Sequence, residues 1–456
     1  MKINPIDNVR VDLTSGHKYA LCDIPAGENV IKYGNPIGHA TVDIKKGQHV
    51  HTHNLATNLA GEISYEFHGD FAPIKREKTD RTFMGYLREG GEVGIRNDIW
   101  IINTVGCVNK IAKRLCDLTG AIAFEHPYGC SQLGGDHEIT KTVLASLVRH
   151  PNAGGVLVLG LGCENNNITE FKEAIGSYDA RRVKFLNTQD SEDEIADGVR
   201  LINELKEYSS TFKKVPIPIS SLRVGLKCGG SDGLSGITAN PLVGRFSDRL
   251  IREGGSCVLT EVPEMFGAEH LLMRRAASKD VFDKTVEMIN GFKEYFISHG
   301  QQIYENPSPG NKAGGITTLE EKSLGCVQKG GCAEVVDVLG YGDTLTRSGL
   351  SLLDGPGNDI VAVTNLTAAG VHLILFTTGR GTPLGGPVPT VKISTNKELA
   401  ERKRGWIDFD ASSVLDGADL DSDFFDYVVS VASGEETKNE KNGYREISIF
   451  KDGIIL

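Results

Sequence analysis

Three of the chain's twelve histidines fall within His49-Val50-His51-Thr52-His53. If this stretch is a strand, its two-residue period places all three rings on one face. Neutral imidazole is a common ligand for iron, manganese and zinc, and rings converging from one side leave positions open for water or substrate. His51 and His53 are therefore the expected metal ligands, with His49 in a second tier and Asn54 as a neighbouring oxygen donor. A solvated strand end without an ion is the alternative.

Two glycine-rich loops carry further chemistry. Thr377-Thr378-Gly379-Arg380-Gly381-Thr382-Pro383 follows an apolar run and combines hydroxyls, free backbone N–H groups and one guanidinium. Arginine meets a carboxylate with two parallel hydrogen bonds, and glycine lets the backbone approach an anion closely. Lys227-Cys228-Gly229-Gly230-Ser231-Asp232 has similar ingredients. A metal, a carboxylate clamp and polar loops suit removal of a proton beside a carboxylate, with the resulting charge held by a cation while an acid protonates a departing hydroxyl. His126 or Lys227 is the expected base and Asp232 a further catalytic group. Arg380, Thr378, Ser231 and Asn165 are the expected substrate contacts.

These residues must be positioned by elements, and the elements are legible. The first 70 residues read as short β segments separated by turns such as Pro25-Ala26-Gly27 and Gly34-Asn35-Pro36, with a charged linker from Pro73 to Arg81. From Phe83 strands alternate with helices. Asp98–Val105, Ala121–Glu125 and Gly155–Gly160 read as strands, with helical spacing over Asn109–Leu118 and Ile139–Arg149. Pro216-Ile217-Pro218 reads as the close of a linker. A second half begins at Leu222–Lys227, with later strands at Cys257–Thr260, Val361–Thr364 and His372–Thr377, and Asn306–Gly315 as a surface segment. The expected fold is α/β, a small N-terminal β domain (1–72) and two α/β parts (83–215 and 221–456) with largely parallel sheets.

Ligands bind beyond the carboxyl ends of strands in such sheets. Cys107, Cys130 and Cys163 each follow a glycine at an expected strand end, so they are second-tier metal ligands. Nine cysteines without a Cys-x-x-Cys pair do not describe a disulfide framework. A dinucleotide reading of Gly160-Leu161-Gly162-Cys163-Glu164-Asn165 fails because Asn165 occupies the place of the third glycine.

The 456 residues, 39% hydrophobic with a net charge of -11, are unsuited to a nucleic-acid surface. No apolar run is long enough for a bilayer, and Met1 to Val11 lacks the apolar core of a signal peptide. The expectation is a cytoplasmic protein with a small-molecule partner, no nucleic acid and no membrane, arranged as a homodimer.

Taken in order, His51-Thr52-His53-Asn54, the Gly-Cys turns, Lys227–Asp232, Thr378–Pro383, Ala432–Glu436 and Arg445–Phe450 resemble the altronate/galactarate dehydratase family over essentially the whole chain. The resemblance implies a β-clip domain of the SAF type at the N-terminus, followed by a sugar-acid hydro-lyase body. It also implies dehydration of a sugar acid, altronate first and galactarate as the alternative, to a 2-keto-3-deoxy acid with Fe(II) or Mn(II). Related lyases of sulfonated hydroxy acids share the architecture. A non-catalytic sugar-acid or metal-binding protein is the rival from another class.

Overall fold

The strands that read as unbroken apolar runs are those buried on both faces, and they form two parallel sheets. The computed structural model describes residues 1–59 and 64–453. Six short N-terminal strands, β1 (Val9–Val11), β2 (Lys18–Ala20), β3 (Asn29–Lys32), β4 (Asn35–Ala40), β5 (His49–Val50) and β6 (Leu55–Ala56), make two three-stranded antiparallel sheets in the orders β1-β2-β5 and β3-β4-β6. The strand predicted over His49–His53 stops at Val50. The Asn54 side chain closes a turn there, its Oδ1 accepting from the His51 N–H and its Nδ2 donating to the His49 carbonyl, at 2.9 Å each. Asn54 is thus a turn residue with both ends of its amide engaged.

Strands β7 (Thr82–Leu87) and β8 (Val93–Gly94) form an antiparallel sheet with β13 (Lys214–Pro218). The segment read as a linker end, Pro216-Ile217-Pro218, belongs to this edge strand, where a proline's missing N–H does no harm. Strands β9 (Asp98–Asn103), β10 (Ile122–Ala123), β11 (Ala153–Gly160) and β12 (Val183–Asn187) form a fully parallel sheet in the order β10-β9-β11-β12. Every residue of β11 is buried, as expected where helices cover both faces.

The second parallel sheet has seven strands: β14 (Arg223–Cys228), β15 (Ser256–Leu259), β16 (Val335–Leu339), β17 (Leu350–Leu353), β18 (Leu373–Thr378), β19 (Thr390–Ser394) and β20 (Phe409–Asp410). Their order is β16-β17-β15-β14-β18-β19-β20. The chain runs outward from β14 on one side, then returns to β18 on the other. The crevice for a ligand in this topology lies between the carboxyl ends of β14 and β18, where both glycine-rich loops emerge. The strand predicted at Val361–Thr364 is instead part of the helix Asp359–Ala368, capped by the Asn358 side chain. Its apolar residues are buried around most of the helix, which removes the periodicity that separates helix from strand.

Side chains of the N-terminal strands, among them Val30 and Ile37, share one apolar core with Leu242 and Phe246 of the second sheet's covering helix. Trp100, Phe124 and Val143 from around the first parallel sheet share another with Ile374 and Phe376 of β18. Burial at about 25 cal/mol per Å² of apolar surface therefore acts across the parts of the chain as well as within them.

Candidate active site

The N-terminal strands bring a fourth imidazole to the histidine cluster. β2 pairs antiparallel with β5, Tyr19 opposite His49 and Lys18 opposite Val50, so His17 continues the ladder toward His51. His17 Nδ1 lies 3.0 Å from His49 Nε2. The His49 ring stacks on His51 at 5.4 Å between centroids and lies 5.6 Å from His53. Burial and then the neighbouring rings push the His49 pKa down to about 4, so this imidazole is neutral, as a metal ligand must be.

Metal–nitrogen bonds of about 2.1 Å at tetrahedral to right angles span about 3.0 to 3.4 Å between nitrogens, which His17 and His49 meet. The sequence-predicted pair is placed differently. His51 Nε2 lies 2.9 Å from the Lys312 carbonyl and anchors the ring to the body of the protein, and His53 stands on the exposed side of His49.

This cluster sits at the mouth of the β14–β18 crevice. A Cβ on Gly233 would meet the Gly16 carbonyl at 2.0 Å, and one on Gly315 would meet it at 2.5 Å. The short helix Pro309–Ala313 completes the junction: the Asn311 side chain donates to the Ser231 carbonyl at 2.8 Å, and Arg380 packs 3.7 Å from the position of a Gly310 Cβ. The segment read as a surface loop thus joins the histidines to both glycine-rich loops. Beside this junction opens a cleft of about 650 Å³ lined by Leu13, Thr14 and Ser15 from the turn between β1 and β2 and by Asp232, Arg380 and Asn396 from the body.

Arg380 is exposed on the cleft wall, and no carboxylate of the described residues pairs with it. Arg402 and Lys397 line the same cleft, but each has an acidic partner, Glu398 at 3.3 Å and Glu401 at 3.8 Å respectively. Thr378 is buried beneath the wall and its Oγ1 accepts from the Gly381 N–H at 2.9 Å, shaping the loop. Ser231 is 2% exposed and its hydroxyl has no protein partner among the described residues. Asp232 accepts from the Thr395 hydroxyl, the Ser235 hydroxyl, the Asn396 amide and the Leu234 N–H, while burial raises its pKa. Gly379 is required beside it, because a Cβ there would lie 2.2 Å from the Asp232 carboxyl carbon.

Three of the expected site residues are engaged with the protein itself. His126 is buried, with Nε2 on the Asn103 carbonyl at 2.8 Å and Nδ1 accepting from the Tyr128 N–H at 3.2 Å. Burial pushes its pKa down to about 4, and with both nitrogens engaged it holds a loop rather than a substrate. Lys227 was expected near neutrality through desolvation. Burial does oppose its charge, but Asp359, 2.7 Å away, and Glu261 outweigh it and raise the pKa above the ordinary value. Asn165 lies on the other parallel sheet, where its Oδ1 accepts from the Ser131 N–H at 2.8 Å.

Beneath the crevice lies a buried ionic cluster that sequence reading missed. Cys228 Sγ is 3.3 Å from Cys326 Sγ, 3.1 Å from Glu264 Oε2 and 2.9 Å from Lys329 Nζ, while Lys322 pairs with Glu264 at 2.7 Å. Cys228, Glu264 and Cys326 are the one group among the described residues whose ligand atoms all lie within 4.8 Å, close enough to hold an ion. The Cys326 thiol helps draw the Cys228 pKa down to about 7. Glu261 alongside has a left-handed backbone (φ 73°), which a residue with a Cβ adopts at a cost and which is common at functional sites. The exposed thiols of Cys107, Cys130 and Cys163 sit elsewhere, around the first parallel sheet.

Family comparisons agree with this architecture. Residues 6–58 match the altronate/galactarate dehydratase SAF domain, 85–210 the second domain of D-galactarate dehydratase/altronate hydrolase, and 219–455 the C-terminal region of D-galactarate/altronate dehydratase. The chain belongs to the altronate/galactarate dehydratase family and is a hydro-lyase. It is 53% identical to the altronate dehydratase of Escherichia coli K12, over 99% of this chain and 94% of that one. It is also 53% identical to the Bacillus subtilis altronate dehydratase over 98% of this chain and 93% of that protein. The galactarate dehydratase (L-threo-forming) of Escherichia coli is 32% identical over 96% of this chain and 90% of its own length.

Proposed function

We propose that this chain dehydrates D-altronate to a 2-keto-3-deoxy sugar acid. The observation that carries the reading is the short helix Pro309–Ala313, which joins the imidazole cluster, through the Lys312 carbonyl, to the Arg380 side chain beside Gly310, in a chain 53% identical to altronate dehydratases over nearly its full length. In the reaction the C2 proton is removed, the C3 hydroxyl leaves with a proton as water, and the enol rearranges to the ketone. Arg380 binds the substrate carboxylate in two-pronged fashion and orients C2. Asp232, which lines the same cleft, is the carboxyl beside the departing hydroxyl. Ser231's unpartnered hydroxyl is available to the polyol chain.

A divalent ion fits the family, and His17 and His49 are the residues that would hold it, with His53 beside them and His51 fixing the cluster to the loop at Lys312. Such an ion supplies Lewis-acid stabilisation of negative charge on carboxylate or hydroxyl oxygens. Neutral imidazole suits Fe(II) or Mn(II). The Cys228–Glu264–Cys326 group suits a hard ion less, because its thiols are soft and its anionic atoms already face Lys329 and Lys322.

The cations of the cleft favour a monocarboxylate. Only Arg380 of the three lacks an acidic partner among the described residues, so one carboxylate is matched, and altronate is preferred to the dicarboxylate galactarate. Among the described residues no helix is long and apolar enough to cross a membrane. The reading places the reaction in the cytoplasm, in a homodimer.

The test is incubation of the purified chain with altronate or galactarate and Fe(II) or Mn(II), with keto-acid measured. Turnover of altronate that vanishes with a chelator is expected. Binding without turnover would instead support a sugar-acid carrier, and faster turnover of galactarate would overturn the substrate assignment.

A further inference from the structure

The first parallel sheet has its own switch point, and three cysteines lie in the turns that follow its strands. Its order, β10-β9-β11-β12, reverses direction at β9, so the ligand position in this topology lies beyond the carboxyl ends of β9 and β11. β9 leads into Gly106-Cys107, β10 into Gly129-Cys130 and β11 into Gly162-Cys163. All three cysteines are exposed, whereas Cys228, Cys257 and Cys326 are buried.

The three turns are tied to one another. The Gly106 N–H donates to the Tyr128 carbonyl at 2.9 Å and the Asn166 N–H to the Gly129 carbonyl at 3.0 Å. The Ser131 N–H reaches Asn165 Oδ1 at 2.8 Å, and the Asn166 side chain donates to the Thr104 carbonyl at 3.1 Å. Glycine is required for this approach: a Cβ on Gly129 would lie 1.9 Å from the Thr104 carbonyl oxygen, and one on Gly106 would lie 2.7 Å from that of His126. Glu164 buttresses the third turn, accepting from the Gly162 N–H at 2.7 Å and the Leu161 N–H at 3.0 Å.

A second observation lies along the same edge. Asn103, Gln132 and Asn166 are 0%, 6% and 0% exposed, and each has one side-chain polar atom with no protein partner among the described residues. Buried amides left unpaired are rare and mark a place where another polar group is needed. Three such groups border the loops that carry the thiols.

We propose that Cys107, Cys130 and Cys163 hold a cuboidal iron–sulfur cluster, three of whose irons take a thiolate each. Thiolates select soft metals and iron–sulfur clusters. Size separates a cluster from a single ion. Metal–sulfur bonds of about 2.3 Å in a tetrahedral site bring sulfurs to about 3.8 Å. The three sulfurs do not form a set within 4.8 Å of one another among the described residues, a spacing that suits a multinuclear group rather than a single ion. Two Fe(II), two Fe(III) and four sulfides sum to a core of charge +2. Assembly from these is ligand exchange with loss of three thiol protons and no net electron transfer. The inference stands apart from the altronate reading, since a cluster can be present whatever the substrate.

The test is anaerobic isolation of the full chain and reconstitution with Fe(II), Fe(III) and sulfide in those proportions. About four irons and four acid-labile sulfides per chain, with broad visible absorption, are expected. The triple variant Cys107→Ser, Cys130→Ser, Cys163→Ser should lose both by at least tenfold, while Cys332→Ser keeps them. Equal iron and sulfide in the triple variant, or iron bound without sulfide, would overturn the proposal. An independent readout needs no variant: on the reconstituted native chain the three thiols should resist alkylation and become reactive after iron is chelated. Full alkylation with iron and sulfide still bound would also overturn it.

Discussion

Replacing Glu321 with glutamine should loosen the N-terminal strands from the body and with them the histidine cluster. Glu321 sits on the helix Leu319–Cys326 and reaches two lysines of the N-terminal sheets, Lys18 at 2.7 Å and Lys32 at 2.8 Å, with all three side chains at most 1% exposed. Burial works against the carboxylate, but the two ammoniums bring its pKa from 4.5 down to about 2. That difference corresponds to about 3 kcal/mol, in line with the roughly 3 to 5 kcal/mol lost when one partner of a buried ion pair is removed. Three kcal/mol is about a hundredfold in an opening equilibrium. Hydrogen exchange in β1, β2 and β5 at pH 7 should therefore quicken about a hundredfold in Glu321→Gln once intrinsic rates are divided out. The pH dependence has a defined sign. In the native chain the carboxylate's folded pKa is depressed, so its contribution is complete above about 4.5 and fades as pH falls toward 2. The variant lacks that acid limb. Its Lys18, already brought down to about 8 by burial in the native chain, is left without its anionic partner, so protection should recover as pH rises toward 10 and the buried charge is discharged. Exchange within threefold of the native chain at pH 7 would refute the reasoning.

Removing His17 or His49 should weaken iron or manganese binding by more than the roughly 10- to 100-fold that loss of an outer-shell partner costs, whereas His51→Ala, which removes the anchor to Lys312, should fall within that range. Metal titration decides, and a larger effect at His51 would restore it as a ligand. Arg380→Lys should raise KM for altronate about tenfold and leave metal content unchanged, because the two-pronged contact is lost while the histidines are untouched. Metal loss with unaltered KM would contradict this. His126→Ala should cost about 1 to 3 kcal/mol of stability by leaving the buried Asn103 carbonyl and Tyr128 N–H unpaired, with kcat within about twofold. A large drop in kcat at unchanged stability would return His126 to the role of base. Lys227→Met leaves the buried Glu261 and Asp359 without their cation and should destabilise the chain by roughly 3 to 5 kcal/mol. Those carboxyls then bind protons more tightly folded than unfolded, so the variant's deficit in a urea melt should shrink as pH falls from 7 to 5.

What could be read from the residues in order is what local sterics encode. Glycines at strand ends, helix caps and unbroken apolar runs gave the parallel sheets, both glycine-rich loops and the strand-end cysteines, because each signal lies within a few residues of its effect. The helix Asp359–Ala368 escaped because most of its circumference is apolar, although the Asn358 cap stood in the sequence. The histidine strand became a turn because one buried asparagine closes it. His17 was missed because its contact with His49, 32 residues along the chain, comes from the pairing of β2 with β5, and only the register of that pairing reveals it. The sign of a pKa is the least legible property of all. Desolvation of Lys227 follows from its place at the end of an apolar strand, but its outcome depends on Glu261 and Asp359, which arrive from 34 and 132 residues further along. A lysine at that position with no acid opposite would titrate near neutrality and could take a proton from a substrate, whereas this one stays charged and braces the floor of the crevice. Burial can be inferred from the strand alone, but the partners that decide between those two chemistries are supplied by topology.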